Sequence, residues 1–475
     1  MSSLTNRGYG LVKSKFSLEE IERLKLKLTV KPFNMMETEA QKENASTTFT
    51  LYMESSQKLY IPKAYGFKHY GVPSEDKLDD GEAINIDFVG SLRPEQIHPV
   101  ETFIKATKDP KKRGGIISVP CGFGKTVCAL YIIAQIKKKT LIVVHKEFLL
   151  EQWRERISFH LPTAKVGIIK AQQCEVEGMD IVIGSLQSLT MKEYSDDVLK
   201  GFSLCVIDEI HRTGAQVFSR IYKKFNTKYT LGLSATVSRK DGLTKVFKWF
   251  IGDIIYKGGK RTDTMKVIMK EYYDPSIEYS RPYMMFNKKP NMSKMINNIC
   301  DFPPRNKYVL ECLYDVLKDE PDRKVLILSD RRGHLETLKT MLEEDGMECG
   351  LCYGGLKQEV IKESELKQIM LGTYAYVSEG FDVKALNTMI LASPKSDVVQ
   401  STGRILRETT ETRKYQPVVI DIVDNFSIFP NQAKKRHKYY NDQNYEIEQD
   451  KLFDTTPKLV MNGTCYLKDD SDETI

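Results

Sequence analysis

The chain has little of what marks the specialised protein classes. Its 475 residues include only 2 tryptophans and 7 histidines, and its 9 cysteines are scattered apart from Cys349-Gly-Leu-Cys352. That CxxC lacks a second pair to complete a zinc site. It also lies in an apolar run rather than at a strand-to-helix turn, so a structural role is expected for it. The sequence shows no secretory leader and no apolar run long enough to cross a bilayer, so a soluble protein of a reducing, intracellular compartment is expected, with no membrane partner. Charge of one sign is in small excess. The 71 Lys and Arg residues exceed the 64 Asp and Glu by 7, a mild bias toward polyanions that does not by itself imply nucleic acid. Basic clusters at Lys111-Lys112-Arg113, Lys137-Lys138-Lys139 and Lys434-Lys435-Arg436 could meet phosphates, although such runs are ordinarily solvated faces. No short-period repeat is present.

What is there suffices for large cores. Hydrophobic residues make up 41% and charged residues 28%, and a chain of this length exceeds what one core supports, so two large domains with appendages are expected. Residues 1–90 read as a small β-containing accessory domain. TFTLYMES at 48–55 alternates as a strand does, a polar loop precedes it at 36–47, and KLYIPKAYGF at 58–67 reads as a strand ending in a turn. From 91 to 255, GGIISVP, TLIVVH, MDIVIGS, LCVIDE and TLGLSAT alternate with helical segments, the rhythm of a parallel sheet wrapped by helices. The 256–305 region loosens into a linker or excursion. A second αβ rhythm follows over 306–430, with strands at KVLILSD, MECGLCYG, YAYV (374–377), TMILAS and PVVIDIVD, and a helix at HLETLKTMLEEDG. Residues 431–475 form a charged, tyrosine-rich tail, helical before it frays into Asp469–Thr474.

The strand GGIISVP runs into Pro120-Cys121-Gly122-Phe123-Gly124-Lys125-Thr126 and then a helical segment, the context of a phosphate-binding loop. Gly122 and Gly124 let backbone amides turn inward, Lys125 supplies a point charge for β and γ phosphates, and Thr126 is placed to ligate magnesium. The full G-x-x-x-x-G-K-T spacing is not met, since Val119 stands where its first glycine would be. LCVIDEIH then ends an apolar strand on Asp208 and Glu209, the first suited to holding Mg2+ and the second to activating water. ATP and Mg2+ are the expected cofactors.

The order of the strings carries more than any one of them. LRPEQ at 92–96, the phosphate loop, VVHKEFLLEQW at 143–153, GSLQSL at 184–189, DEIH, LSAT at 233–236, GTYAYVSEGFD at 372–382 and QSTGRILR at 400–407 resemble the motifs of superfamily 2 helicases. The match looks closest to the branch holding the XPB subunit of the eukaryotic transcription and repair factor and the transcript-release helicase of poxviruses and other large DNA viruses. LRPEQ, the stretch SATVSRKDGLTKVFKWFIGDIIY at 234–256, and Gln400 at the start of motif VI support that placement; KLYIPKAYGFKHYG at 58–71 resembles the N-terminal domain of the viral members.

The resemblance implies an α/β fold of two tandem RecA-like domains and an ATP-dependent 3′–5′ DNA helicase or translocase, serving viral transcription or DNA repair in a nucleus, viral factory or virion. It assigns Gln96 to the adenine edge with Arg93 nearby, Asp382 to the ribose or to coupling, and Arg404 and Arg407 as arginine fingers. Two guanidiniums three residues apart on a helix share one face, which fits that task. His211, Ser234, Thr236 and Gln400 look like couplers. His145, Lys146, Trp153, Ser185, Gln187, Ser329, Arg331 and Thr373 fall near one strand's backbone, with Trp153 either stacking on a base or lying in the core. DNA is the preferred partner and RNA the alternative, with targeting through a transcription apparatus. An RNA-remodelling ATPase, a duplex translocase that separates no strands, and a catalytically dead scaffold are the rival readings.

Overall fold

A computed structural model of the chain describes residues 2–31, 48–120, 122–212, 214–235, 242–259, 264–381, 383, 385–406, 408 and 413–449. The polar loop expected at 36–47 and the acidic end lie outside the described residues. The chain divides into two compact units. One comprises Met1–Asp263 with Ala375–Ala385 and Val399–Thr412, and the other Thr264–Tyr374 with Leu386–Val398 and Arg413–Ile475.

The first unit is built on an eight-stranded sheet in the order Gln173–Cys174, Val166–Lys170, Ile181–Ser185, Thr140–Val144, Leu204–Ile207, Tyr229–Ser234, Gly114–Ser118, Ile254–Lys257. All neighbours are parallel except the Gln173–Cys174 edge. Helices such as Lys125–Ile136 and Glu147–His160 cover it. Burial on both faces explains why these strands read as continuous β-branched runs rather than alternating ones. Ile116 and Leu141 join one core and Ile117 and Ile142 the other, as successive side chains point to opposite faces.

The strands Ser2–Thr5, Gly8–Val12, Met53–Glu54, Lys58–Ile61 and Glu75–Asp76 form a five-stranded sheet that belongs to the same unit. Its Leu4, Tyr9 and Ile61, with Tyr65 just beyond it, share one hydrophobic cluster with Phe218, Phe247 and Phe250. The expected strand and turn at 58–67 is corrected here. Lys58–Ile61 is a strand, but a helix runs over Lys63–Tyr70 immediately after Pro62. Pro62 stands at the N-cap, where its missing N–H costs no helical bond, and Tyr65, Gly66 and Phe67 turn inward. A Cβ at Gly66 would lie 2.2 Å from the Tyr9 ring, so only glycine lets this helix seat. Lys63 is buried with it, its Nζ donating to Thr227 O at 2.7 Å and Thr230 Oγ1 at 3.1 Å. Burial and the Arg113 charge bring its pKa down to about 7.

The second unit holds a wholly parallel seven-stranded sheet, ordered Cys349–Cys352, Ile369–Thr373, Val325–Ser329, Thr388–Leu391, Val418–Asp424, Lys266–Tyr272, Glu446–Gln449. Two expectations change, and the helix expected in the tail is present. The 256–305 region is no mere linker, since Lys266–Tyr272 pairs along its whole length with Val418–Asp424 and helices follow at Met292–Asp301 and Pro303–Asp319. The tail contributes a helix, Phe429–Asp442, and an edge strand. YAYV is helical within Tyr374–Gly380, not a strand. Tyr374 and Val377 are the residues it buries, one helical turn apart, and a four-residue run satisfies that spacing as well as alternation. Cys349 and Cys352 are buried free thiols on one strand. No helix among the described residues is long and apolar enough to cross a membrane.

Candidate nucleotide and nucleic-acid sites

Between the strand Gly114–Ser118 and the helix Lys125–Ile136, Gly122 and Gly124 take φ of +79° and +89°. A Cβ on Gly124 would lie 2.3 Å from Gln96 Nε2, so the loop closes onto that side chain only as glycine. Gln96, buried in the first turn of helix Pro94–Lys108, donates from Nε2 to Phe123 O at 2.8 Å and accepts the Arg93 amide at 2.9 Å. Arg93 Nη2 donates to the carbonyls of Gly122 and Phe123. Both side chains assigned to adenine thus occupy the loop's carbonyls. The first amides of the following helix have no intrahelical acceptor, which is how a helix start receives an anion. Pro120, Phe123 and Thr126 are partly buried around the loop, and Cys121 lies outside the described residues.

The fully buried strand Leu204–Ile207 ends on Asp208 and Glu209. Glu209 has φ +47°, a left-handed backbone that costs a non-glycine residue about 1–3 kcal/mol and gathers at functional sites. Asp208 accepts the Trp153 indole N–H at 3.0 Å and the Glu209 amide at 2.9 Å. Lys125 Nζ donates to Glu209 Oε1 at 2.5 Å. Burial and the neighbouring Glu209 charge raise Asp208 to about 6. Burial pushes Glu209 upward too, but Lys125, His211 and Arg404 outweigh it and hold the carboxyl at about 2. Adjacent acids are thereby driven apart, with Glu209 kept ionised.

His211 joins this cluster to residues far along the chain. Gln400 Nε2 donates to His211 Nε2 at 2.8 Å, which leaves the ring proton on Nδ1, within 2.9 Å of Ser234 Oγ and 3.2 Å of Glu209 Oε2. Arg404 is held by the carbonyls of Phe381, at 3.0 Å, and Ser378, at 2.5 Å. Thr236, Asp382 and Arg407 lie outside the described residues. Among the described residues no trio of His, Cys, Asp or Glu clusters as a metal cage. Asp208 and Thr126 offer an oxygen each, a donor set that suits magnesium, which is otherwise ligated by phosphates and water.

The residues assigned to the nucleic-acid track stand at strand ends in each sheet. His145 and Lys146 follow the strand Thr140–Val144, and Ser185 ends the neighbouring strand opposite Val144. Ser185 caps the next helix by accepting the Ser188 amide, and Gln187 is exposed. In the second unit Ser329 faces Thr373 across adjacent strand ends in the same manner. Ser329 is fully buried; its hydroxyl accepts the Arg331 amide at 3.1 Å and bonds His334 Nδ1 at 2.9 Å, so it shapes the loop that presents Arg331. Of the two places expected for Trp153, stacked on a base or in the core, it takes the core: it is 2% exposed, and its polar edge is committed to Asp208. Sequence reasoning missed that role because nothing local marks a contact 55 residues away. Each basic cluster is neutralised in part within the fold, with Arg113 paired to Asp76, Lys137 to Asp87, Lys139 to Glu82 and Arg436 buried against Asp421.

Comparison with known proteins agrees with this arrangement. Residues 90–239 match the family "Type III restriction enzyme, res subunit", and residues 308–409 match "Helicase conserved C-terminal domain". A protein of Acanthamoeba polyphaga mimivirus named as ATP-dependent RNA helicase L396 is 36% identical over 458 residues, spanning 94% of this chain and 86% of the relative. One of African swine fever virus, named as ATP-dependent RNA helicase QP509L, is 25% identical over 350 residues, covering 69% of this chain and 68% of its own length. The solved structure of S. cerevisiae Dbp5 bound to RNA and ADP BeF3 shares the fold, with a TM-score of 0.53 at 14% identity over 76% of this chain and 94% of that one. The paired RecA-like domains and the extended likeness to the mimivirus protein lead to one conclusion: the chain belongs to the superfamily 2 helicases, as an ATP-dependent helicase of the kind found in large DNA viruses.

Proposed function

We propose that this helicase is a magnesium- and ATP-dependent motor that moves 3′ to 5′ on DNA and acts in viral transcription, at transcript release, or in repair. The observation that carries the ATP chemistry is the cluster of Lys125, Asp208, Glu209, His211 and Arg404, in which one carboxylate is held ionised by surrounding cations. Magnesium and ATP, when bound, supply the phosphoanhydride bond and the charge neutralisation its cleavage needs. Lys125 leaves Glu209 for the phosphates, and the freed carboxylate orients and deprotonates water. Trp153 keeps Asp208 turned toward the metal position. Arg404 and Arg407 meet charge developing on the γ-phosphate. The His211–Gln400 bond couples that site to motif VI, and the strand backbone is met by His145, Lys146, Ser185 and Gln187 of the first unit and by Arg331 and Thr373 of the second. DNA is favoured by Gln400 opening motif VI and by the 234–256 stretch.

An RNA-directed motor is the second reading, favoured by the names of the viral relatives. ATPase activity measured with single-stranded DNA, duplex DNA and RNA decides between them. Stimulation by RNA alone would overturn the DNA proposal. Strand displacement set beside triplex displacement separates a helicase from a duplex translocase, and a forked substrate with one labelled tail fixes polarity.

A further inference from the structure

The stretch 281–300 contains Arg281, Lys288, Lys289 and Lys294 and no acidic residue. It folds as a tight hairpin whose rungs are Asn291 N to Tyr283 O at 2.7 Å, the Met284–Pro290 bridge and Met285 N to Lys289 O at 2.8 Å. Lys288 turns the tip at φ +58°, and Asn287 Oδ1 accepts the Lys289 amide at 3.1 Å. The turn is therefore built by its own hydrogen bonds, yet it buries nothing at its apex. Phe286 is wholly exposed, Met284 is 59% and Met285 43% exposed, and they border an open hollow of about 490 Å³.

Exposed side chains of this kind are costly to leave in water unless something covers them. The chemistry on the page selects the cover. Lys288 and Lys289 stand exposed, and among the described residues no carboxylate pairs with either, unlike Arg113, Lys137, Lys139 and Arg436. Two further cations, Arg281 and Lys294, lie 5.3 and 4.3 Å from the Tyr283 ring centre. An aromatic apex flanked by uncompensated ammonium groups matches a nucleic-acid strand, whose bases offer flat faces and whose backbone offers phosphates. Position agrees. The helix Met292–Asp301 that leaves the hairpin is clasped by Arg331, which donates to Ser293 Oγ at 3.0 Å and to Asn297 Oδ1 at 2.5 Å. Arg331 is itself a residue of the strand-backbone track.

We infer that the 281–292 hairpin is an additional nucleic-acid contact of the second unit, in which Phe286 stacks on an unpaired base while Lys288 and Lys289 hold the flanking phosphates. The inference rests on the reading that this chain grips nucleic acid, and it extends that grip beyond the family motifs.

The test is fluorescence anisotropy of the full chain with a single-stranded oligonucleotide, without nucleotide and over a range of salt. Phe286→Ala is expected to weaken binding about tenfold or more, as loss of one stacked base does, with Phe286→Tyr restoring it. Lys288→Ala with Lys289→Ala is expected to lower the log–log salt slope by about 1.4, the value for two phosphates of a single strand. Quenching of a 2-aminopurine base in the oligonucleotide should be lost in Phe286→Ala. Leu366→Ala, an exposed apolar residue elsewhere in the unit, serves as the control. If the parent binds the strand and the hairpin variants bind within twofold of it with an unchanged slope, the inference is overturned and the tip faces some other partner, such as a protein. A parent chain that binds no strand overturns this inference and the nucleic-acid reading together. Loss of ATPase or strand displacement in the parent, with binding intact, counts against the motor reading alone.

Discussion

The two parallel sheets share an architecture but treat charge at their strand ends in opposite ways. In the first, Lys125 and Glu209 form a pair whose side chains remain 12% and 20% exposed, and Glu209 sits on a strained backbone. In the second, charge is sealed. Arg305 grips Asp424 through two bonds at 2.8 and 3.1 Å while Tyr279 donates to the same carboxylate, and both charged partners are fully buried. Arg436 and Tyr440 close on Asp421 likewise. A pair sealed from water fixes a shape; a pair left partly open at a strained turn can exchange its partner. The fold provides the positions in both sheets, and the degree to which each pair is closed separates structure from chemistry.

The comparison can be broken by removing charge from either side. Glu209→Gln is expected to lower the ATPase kcat by about 10²–10⁴-fold with little change in the thermal midpoint, because it removes a proton acceptor rather than a support. Steady-state turnover beside a melting curve checks this; equal losses in both would make Glu209 a structural residue. Asp424→Asn should do the reverse, costing the second unit about 3–5 kcal/mol by stranding a buried guanidinium. Urea unfolding measures the loss, and the double change Arg305→Met with Asp424→Leu should recover most of it.

Gln400→Ala tests whether the open cluster communicates. Loss of its bond to His211 should reduce nucleic-acid stimulation of the ATPase by about tenfold, the scale of an ordinary coupling energy. Equal loss of stimulated and unstimulated turnover would deny it a coupling role. The smallest effect concerns His334, which is buried between Ser329 and Asn306, each at 2.9 Å. Burial and the Arg305 charge lower its pKa from 6.5 to about 3. Between those values the unfolded chain takes up a proton that the folded chain refuses, so stability falls as pH drops through that window. The slope is at most about 1.4 kcal/mol per pH unit. His334→Gln should flatten that dependence in unfolding curves taken between pH 7 and 5.

Local strings made much of this legible. Gly122, Gly124 and Lys125 announce their loop because the geometry they serve spans a few neighbouring residues. The β-branched runs announce parallel strands because both faces are buried. The structure departs from the sequence pattern where a short segment satisfies two periods at once, as YAYV does, or where a short helix follows a strand directly, as Lys63–Tyr70 does. The strand Lys266–Tyr272 was missed because its surroundings lack the repeating strand-and-helix rhythm.

The sequence by itself determined the inventory: a phosphate loop, an acidic strand end, two αβ domains and the ordered strings of a helicase. Only the tertiary structure decided what each group meets. Trp153 reaches Asp208 across 55 residues, Gln400 reaches His211 across 189, and Lys63, buried where it donates to Thr227 O 164 residues away, has its pKa lowered by that burial to about 7. Residue type sets what a side chain can donate or accept, but burial and distance set its pKa and its partner. Those quantities arise only when distant segments of the chain pack together.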